Sequence, residues 1–395
     1  NLNRVWNTDQ YISSIYSSSY NKTYQNFRKD TFGLEQPYRN FLMQSEESNP
    51  IYARFMGEKY IVTKSKMKGV RLLGKSGEWK IYENESAASI IYGTSQVMSE
   101  KNYDKLDYPY NQTTLLQKAV VPESATKQTD SIEAVDNLHN AVLQFGENSC
   151  ISETDGGYHI FAKKDTKVKA EIVSQIDINS VNTVNAGENT NVANETKTDS
   201  GNRVLLLRFK VKNLKPSKDL TIWVDGNRNK LSAKQRVYYD DNTTFTYAVA
   251  LDGDENQVEV TFSKGKYNLS DVEAYIAPLP GTELYESEFL QNSTKTKGNV
   301  IAGNLTMQKS GYLITSIPYD SGFKIQVDGK NVKSEKVNTA FLGCKMKAGE
   351  HNIVITYHAP GMAAGKVMSF VGMMGFLILS VLEHRELQKK TKQNM

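Results

Sequence analysis

A chain of 395 residues with 48 Lys and Arg against 44 Asp and Glu carries a formal net charge of +4, with Lys dispersed among dispersed carboxylates. Without an Arg-rich helix or a basic stripe interleaved with aromatics, nucleic acid is excluded as the expected partner. The length allows about two to four units, each able to bury a core.

Two cysteines, Cys150 and Cys344, stand far apart in no metal-like spacing. They read as two buried thiols, with a disulfide outside the cell as the alternative. The 22 tyrosines suit sugar stacking on an outer surface, but strand positions are the preferred reading.

Residues 8–28 place Ile12, Tyr16, Tyr20, Tyr24 and Phe27 at helical spacing with Thr8 or Asp9 as cap, which predicts an amphipathic helix. Asn49-Pro50 supplies a cap and a first-turn proline for a short helix ending at Gly57. A strand at Tyr60-Ile61-Val62-Thr63 follows, then Val70-Arg71-Leu72-Leu73, a Lys-Ser-Gly turn and Glu78-Trp79-Lys80-Ile81-Tyr82-Glu83-Asn84. These make a small extracytoplasmic α+β unit, residues 1–121. Residues 122–145 are polar with a weak helical pattern at Ile132, Val135, Leu138 and Val142, and read as a connector.

Beyond it the period changes to two. Leu205, Leu207, Phe209 and Val211 alternate with polar neighbours, as do Leu220, Ile222 and Val224, then Phe245, Tyr247, Val249 and Leu251, and then Val258, Val260 and Phe262. Short strands at this spacing predict an antiparallel β-sandwich, jelly-roll or immunoglobulin-like, over residues 146–285, with residues 179–202 as a long exposed loop. A second β module, residues 286–358, repeats the first in outline. Ile222-Trp223-Val224-Asp225-Gly226-Asn227 resembles Ile325-Gln326-Val327-Asp328-Gly329-Lys330, and Glu255 to Phe262 resembles Glu350 to Tyr357. Asp-Gly supplies the positive φ of a tight hairpin.

Residues 359–382 read as a transmembrane helix. Counted from Gly361, with Lys366 reaching to the headgroups, the run is roughly 22 residues or about 33 Å of helix, enough for a ~30 Å hydrocarbon core. A buried core helix is the alternative. The tail, residues 383–395, holds Arg385, Lys389, Lys390 and Lys392, so the positive-inside rule places it in the cytoplasm and residues 1–358 outside. Asn1 is preceded by no apolar leader in this sequence, which suggests the C-terminal part of a larger membrane protein.

No catalytic constellation emerges. His139, His159, His351, His358 and His384 show no paired ligand spacing, and no phosphate loop, dinucleotide fingerprint or nucleophile elbow occurs. Asp252-Gly253-Asp254-Glu255 and Asp240-Asp241 have the oxygens for Ca²⁺ but sit where hairpin turns are expected. Glu100, Asp104 and Asp107 near Tyr103, Tyr108 and Tyr110 suit either sugar hydroxyls or a solvated loop. No metal site, cofactor or catalytic residue is therefore assigned to this chain.

The segment from Gly311 through Ser316-Ile317-Pro318-Tyr319-Asp320-Ser321-Gly322-Phe323 to Val327-Asp328-Gly329 resembles the C-terminal signature of the bacterial YfhO family, "SIPYDxGWxVxVDG". The resemblance continues in Asn338-Thr339-Ala340-Phe341-Leu342-Gly343, in Ala348-Gly349-Glu350-His351 and in Pro360-Gly361 before the last apolar run. Phe323 stands where Trp is usual. Asn49-Pro50 with Arg54-Phe55-Met56-Gly57-Glu58-Lys59-Tyr60-Ile61-Val62 is similar to the family's "NP…LLGVKYII", and Ile81-Tyr82-Glu83-Asn84 to its "VYEN". A proline that often follows is replaced by Ser86-Ala87-Ala88-Ser89.

The resemblance implies a many-spanning membrane glycosyltransferase that moves sugar from a polyprenyl-phosphate carrier onto a wall polymer of the lipoteichoic-acid type. Its catalytic acids would lie in a membrane half outside this chain, where a divalent metal is left open. The present residues would hold or cover the polymeric acceptor, with Pro318, Tyr319, Asp320, Gly322, Phe323, Asp328, Gly329, Phe341, Gly343, Gly349, Pro360 and Gly361 as structural signature positions. The alternative is a membrane-anchored carbohydrate-binding or adhesion ectodomain without catalysis.

Overall fold

The computed structural model describes residues 21–33, 49–122, 138–174, 203–237, 239, 241–279 and 285–393, together with the backbone of the strands Ile15–Tyr16 and Leu42–Met43. The fold is mainly antiparallel β with few helices and one C-terminal apolar helix. The chain forms two compact units: Asn1–Phe289 with Leu305–Tyr319 and Glu335–Glu350, and Leu290–Asn304 with Asp320–Ser334 and His351–Met395. Linear cuts at 146, 286 and 359 do not coincide with these discontinuous units.

The first unit opens on Lys22–Phe32, a helix capped by Asn21, whose side chain accepts the Tyr24 N–H. Gly33 ends it in the left-handed region at φ 58°. The expected helix over 8–28 is thus corrected: Ile15–Tyr16 is a strand paired with Leu42–Met43, and the helix starts at the Asn21 cap. Thr8, Asp9, Ile12 and Tyr20 lie outside the described residues. Tyr24 and Phe27 are buried as the spacing requires.

Asn49 caps Pro50–Phe55 as expected, its side-chain oxygen accepting the N–H groups of Ile51 and Tyr52 at 3.1 and 3.0 Å. Phe341 packs into the aromatic cluster these helices build, its ring 4.9 Å from Phe27 and 5.3 Å from Phe55. The strands Tyr60–Thr63, Trp79–Glu83 and Arg71–Ser76 form a three-stranded antiparallel sheet in that order.

The sandwich is organised by the 14-residue strand Gly265–Pro278. It pairs with Gly157–Ala162 and Arg203–Asn213, and the second of these with Thr244–Leu251. Near its end it also meets His139–Phe145, from which Thr166–Ser174, Gln257–Phe262, Leu220–Val224 and Asn227–Leu231 continue. The side chains between these layers make one core, and the Tyr247 hydroxyl crosses it to donate to the Ile222 carbonyl at 2.9 Å.

His139–Phe145 corrects the helical reading of the connector. Ala141 and Leu143 are buried at a period of two, and Leu143 stands opposite Ile172. The run Val204-Leu205-Leu206-Leu207 is buried on both faces. Leu205 and Leu207 enter the sandwich core, while Val204 and Leu206 enter the core built by the N-terminal helices. One wall therefore serves both cores. A further sheet of this unit sets Ile91–Thr94 beside Gly311–Pro318, which pairs on with Phe341–Met346 and Glu335–Val337.

In the second unit Phe323–Val327 pairs with Lys330–Val332 and with the residues from Ile353 to Tyr357. The helix Met362–Gln393 follows, the one helix among the described residues long and apolar enough to cross a membrane. It runs past the expected end at 382 because the tail is made of strong helix formers, with Glu386 four residues before Lys390.

Candidate functional site

At one end of the sandwich four turns come together around a cleft of about 1140 Å³. Antiparallel strands bring alternate turns to the same end, so segments far apart in sequence meet there. The turn after Gly157–Ala162 contributes Lys163, the turn before Leu220–Val224 contributes Lys215 and Lys218, and the segment after Asn227–Leu231 contributes Arg236. Lys264 and Lys266 come from the entry to the long central strand. Six cations thus face one carboxylate, Asp219, and all six are exposed.

Backbone and side-chain hydrogen bonds hold these turns in place. Leu214 N–H donates to the Lys266 carbonyl at 3.0 Å, Lys234 N–H to Pro216 at 2.9 Å, and the Asn213 amide to Lys218 at 2.8 Å. Asp219 is the hub: it accepts the Ala233 N–H at 2.8 Å and binds both Lys230 and Arg236 at 3.0 Å. Burial works against its charge, but the Ala233 N–H and the two cations prevail and hold the carboxyl down to about 2. Lys163, Lys215, Lys218 and Lys264 have no carboxylate partner among the described residues.

The floor is part apolar. Phe161 is 43% exposed with the Lys266 ammonium 4.5 Å from its ring centre, and Val237 is 89% exposed. Chemically the site offers unpaired ammonium groups in an open trough with two apolar steps. Among the described residues that line it no nucleophile is held against a base, and its surplus of cations favours negative charge over positive. Sequence reading saw these lysines only as dispersed charge; the signal was their clustering in the turns, as in Lys163-Lys164, Lys215-Pro216-Ser217-Lys218 and Lys264-Gly265-Lys266.

The residues of the signature are divided between the two units. In the first, Tyr319 N–H donates to Ala340, Phe341 is fully buried, and a Cβ on Gly343 would meet the Leu313 carbonyl at 2.6 Å. Asn338 and Val120 exchange hydrogen bonds at 2.6 and 2.7 Å, tying that segment to the N-terminal part of the unit. Pro318 ends its strand, and Gly349 takes φ 126°.

In the second unit, Asp320 Oδ1 accepts the Gly322 N–H at 2.7 Å and a side chain on Gly322 would collide with the His358 carbonyl. Phe323 meets Tyr357 in a tilted ring contact with centroids 4.7 Å apart, which preserves an aromatic contact in place of the usual Trp. Asp328 and Gly329 form the hairpin turn, and Gly361, next to Pro360, takes φ 79° at the entry to the long helix.

The other candidates fall elsewhere. Tyr103 and Tyr108 are buried, the first donating to the Asn111 carbonyl, while Glu100 pairs with Lys336. Asp252 to Glu255 is a hairpin turn closed by the Glu255 N–H on the Asp252 carbonyl. Asp240 lies outside the described residues, as does the loop over 179–202. Among the described residues no group of three or more His, Cys, Asp or Glu is placed to hold a metal ion. Cys150 and Cys344 are both free and buried.

Comparison with known proteins gives a family match and a relative. The family described as "Bacterial membrane protein YfhO" matches residues 3–369. The chain is similar to "Uncharacterized protein YfhO" of Bacillus subtilis (strain 168), 22% identical over 308 residues, covering 75% of this chain and 34% of the relative. The chain thus spans about a third of that relative's length.

Proposed function

The chain belongs to the family of bacterial membrane protein YfhO, and from that premise we propose that its β-rich part holds an anionic wall polymer, of the lipoteichoic-acid type, as acceptor for sugar delivered from a polyprenyl-phosphate carrier. The observation that carries this reading is the cleft with six cations against Asp219. A poly(glycerol phosphate) strand repeats a charge along an extended chain, which an open trough of unpaired ammonium groups matches better than a closed pocket would. Transfer itself is assigned to membrane segments of the whole protein, where donor and acceptor would be brought within reacting distance. In this arrangement residues 1–358 lie outside the cell, and residues 383–395 in the cytoplasm.

The test is direct binding. The full chain in detergent should bind poly(glycerol phosphate) at low salt and lose most of that affinity at physiological salt, where the Debye length contracts to about 8 Å. Reversing three exposed cleft charges together, Lys163→Glu, Lys218→Glu and Lys264→Glu, should weaken binding at least tenfold, the effect of about 1.4 kcal/mol. Equal binding by the triple variant would overturn the assignment. So would sugar transfer from a lipid-linked donor by this chain alone.

A further inference from the structure

We propose that the outer face of the sheet Tyr60–Thr63, Trp79–Glu83 and Arg71–Ser76 docks on the headgroup layer of an anionic phospholipid bilayer. The sheet has two unlike faces. Ile61 and Tyr82 point inward and are 5% and 4% exposed, whereas Tyr60, Val62 and Trp79 point outward at 57%, 59% and 49%. The register sets Val62 opposite Ile81, two residues from Trp79, so these side chains share one face. Leu73, in the bulge of the edge strand, is 47% exposed, while Leu72 stands opposite Tyr82 on the other face.

The same stretch is strongly basic. Residues 59–80 hold seven Lys or Arg against one acid, Glu78, which is itself paired with Lys64 at 2.6 Å. Lys68 is engaged internally by Asp225 and Glu255, Arg71 pairs with Glu83 and Glu85, and Lys75 stands opposite Lys80 on the Tyr82 face, which leaves Lys59 and Lys64 beside the outer apolar face. Each exposed aromatic ring carries an ammonium: Lys64 Nζ is 5.3 Å from the Trp79 ring and Lys59 Nζ 5.7 Å from Tyr60.

This combination selects the occupant. A dissolved polyanion has no use for Tyr60, Val62 and Trp79, and the buried centre of a protein interface is poor in Lys. A bilayer interface takes both, because Trp and Tyr settle at headgroup depth while Lys stems lie along apolar surface with their charge on lipid phosphate. The surface is distinct from the cleft and does not depend on the polymer-binding reading.

The experiment uses the full chain reconstituted in phosphatidylcholine vesicles with or without phosphatidylglycerol, with a lipid brominated in its acyl chain as quencher. Subtracting the signal of Trp79→Phe isolates Trp79 from the other two tryptophans. Quenching of Trp79 should be several-fold greater with phosphatidylglycerol and should collapse at high salt. It should also be lost in the combined variant Lys59→Glu and Lys64→Glu, whose circular dichroism should stay unchanged. Equal quenching in both lipid mixtures, or none in either, would overturn the proposal. Protection of Trp79 from iodide by a bound protein without lipid would overturn it in favour of a protein partner.

Discussion

The hairpins at Asp225-Gly226 and Asp328-Gly329 are the same device in two settings. Val224 faces Asn227 across the first turn and Val327 faces Lys330 across the second, with φ of 47° and 83° in one and 53° and 75° in the other. Positive φ at both central residues is what a two-residue turn needs to follow strand twist. In each, the Asp N–H donates to a carbonyl on the neighbouring strand and its Oδ1 accepts that residue's N–H. The partner is Glu259 at 2.8 and 2.7 Å in the first and Asn352 at 2.8 and 2.8 Å in the second.

They differ in the other carboxylate oxygen. Asp225 Oδ2 binds Lys68 at 2.6 Å with its side chain 12% exposed, so the turn anchors a segment 157 residues away. Asp328 Oδ2 meets His351 at 2.8 Å with its side chain 52% exposed, so it secures only its own strand pair. The local sequence builds the hairpin; the surroundings decide whether it is also a tether.

That contrast is open to test by thermal unfolding of the full chain in detergent. Asp225→Ala removes a strand clamp and leaves Lys68 with Glu255 alone, at an expected cost of about 2–3 kcal/mol. Asp328→Ala should lower the melting temperature less, because water replaces the exposed contact. Equal losses would erase the distinction between tether and turn. Asp225→Ala should also speed alkylation of Cys344, which lies in the same unit; burial pushes that thiol up to about 12, so it reacts only on opening.

Gly226→Val and Gly329→Val should each cost about 1–2 kcal/mol and match one another closely. A Cβ at either glycine meets no atom within 4 Å, so the cost is backbone strain alone. A silent substitution at one site would mean that its turn has another form in solution.

The legible parts of the fold were those written in short-range chemistry. Asn49-Pro50 and both Asp-Gly turns act within a few residues, and the alternation of Leu205 to Val211 or Val258 to Phe262 marks strands whatever they pair with. The repeat was visible too, but its register was not. Matching Glu255 with Glu350 sets Glu259 on Val354, whereas the hydrogen bonds set it on Asn352. A slip of two residues keeps every side chain on its face, so the apolar pattern cannot detect it. What stayed hidden was long-range: that Arg203–Asn213 is shared by two cores, that Ile91–Thr94 joins Gly311–Pro318, and that lysines in four separate turns meet at one cleft.

The smallest expected effect sharpens the comparison from the acid side. The hydrogen bond from His351, with the Asn352 N–H second, holds the Asp328 carboxyl below its ordinary 3.8. A carboxylate depressed in the folded state contributes stability that is fully present above its unfolded value and is lost as pH falls through the folded one. Amide exchange in the hairpin Phe323–Val327 and Lys330–Val332 should therefore stay slow down to about pH 4 and quicken below it. Asp328→Asn should remove that acid-dependent step, since an amide side chain does not titrate there, while retaining an oxygen to accept the Asn352 N–H. Asp328 is half exposed to water, so the step should be shallow and should shrink further with added salt. An acid step that survives unchanged in Asp328→Asn would place its origin in another carboxylate and leave the second hairpin's Asp as a geometric clamp only.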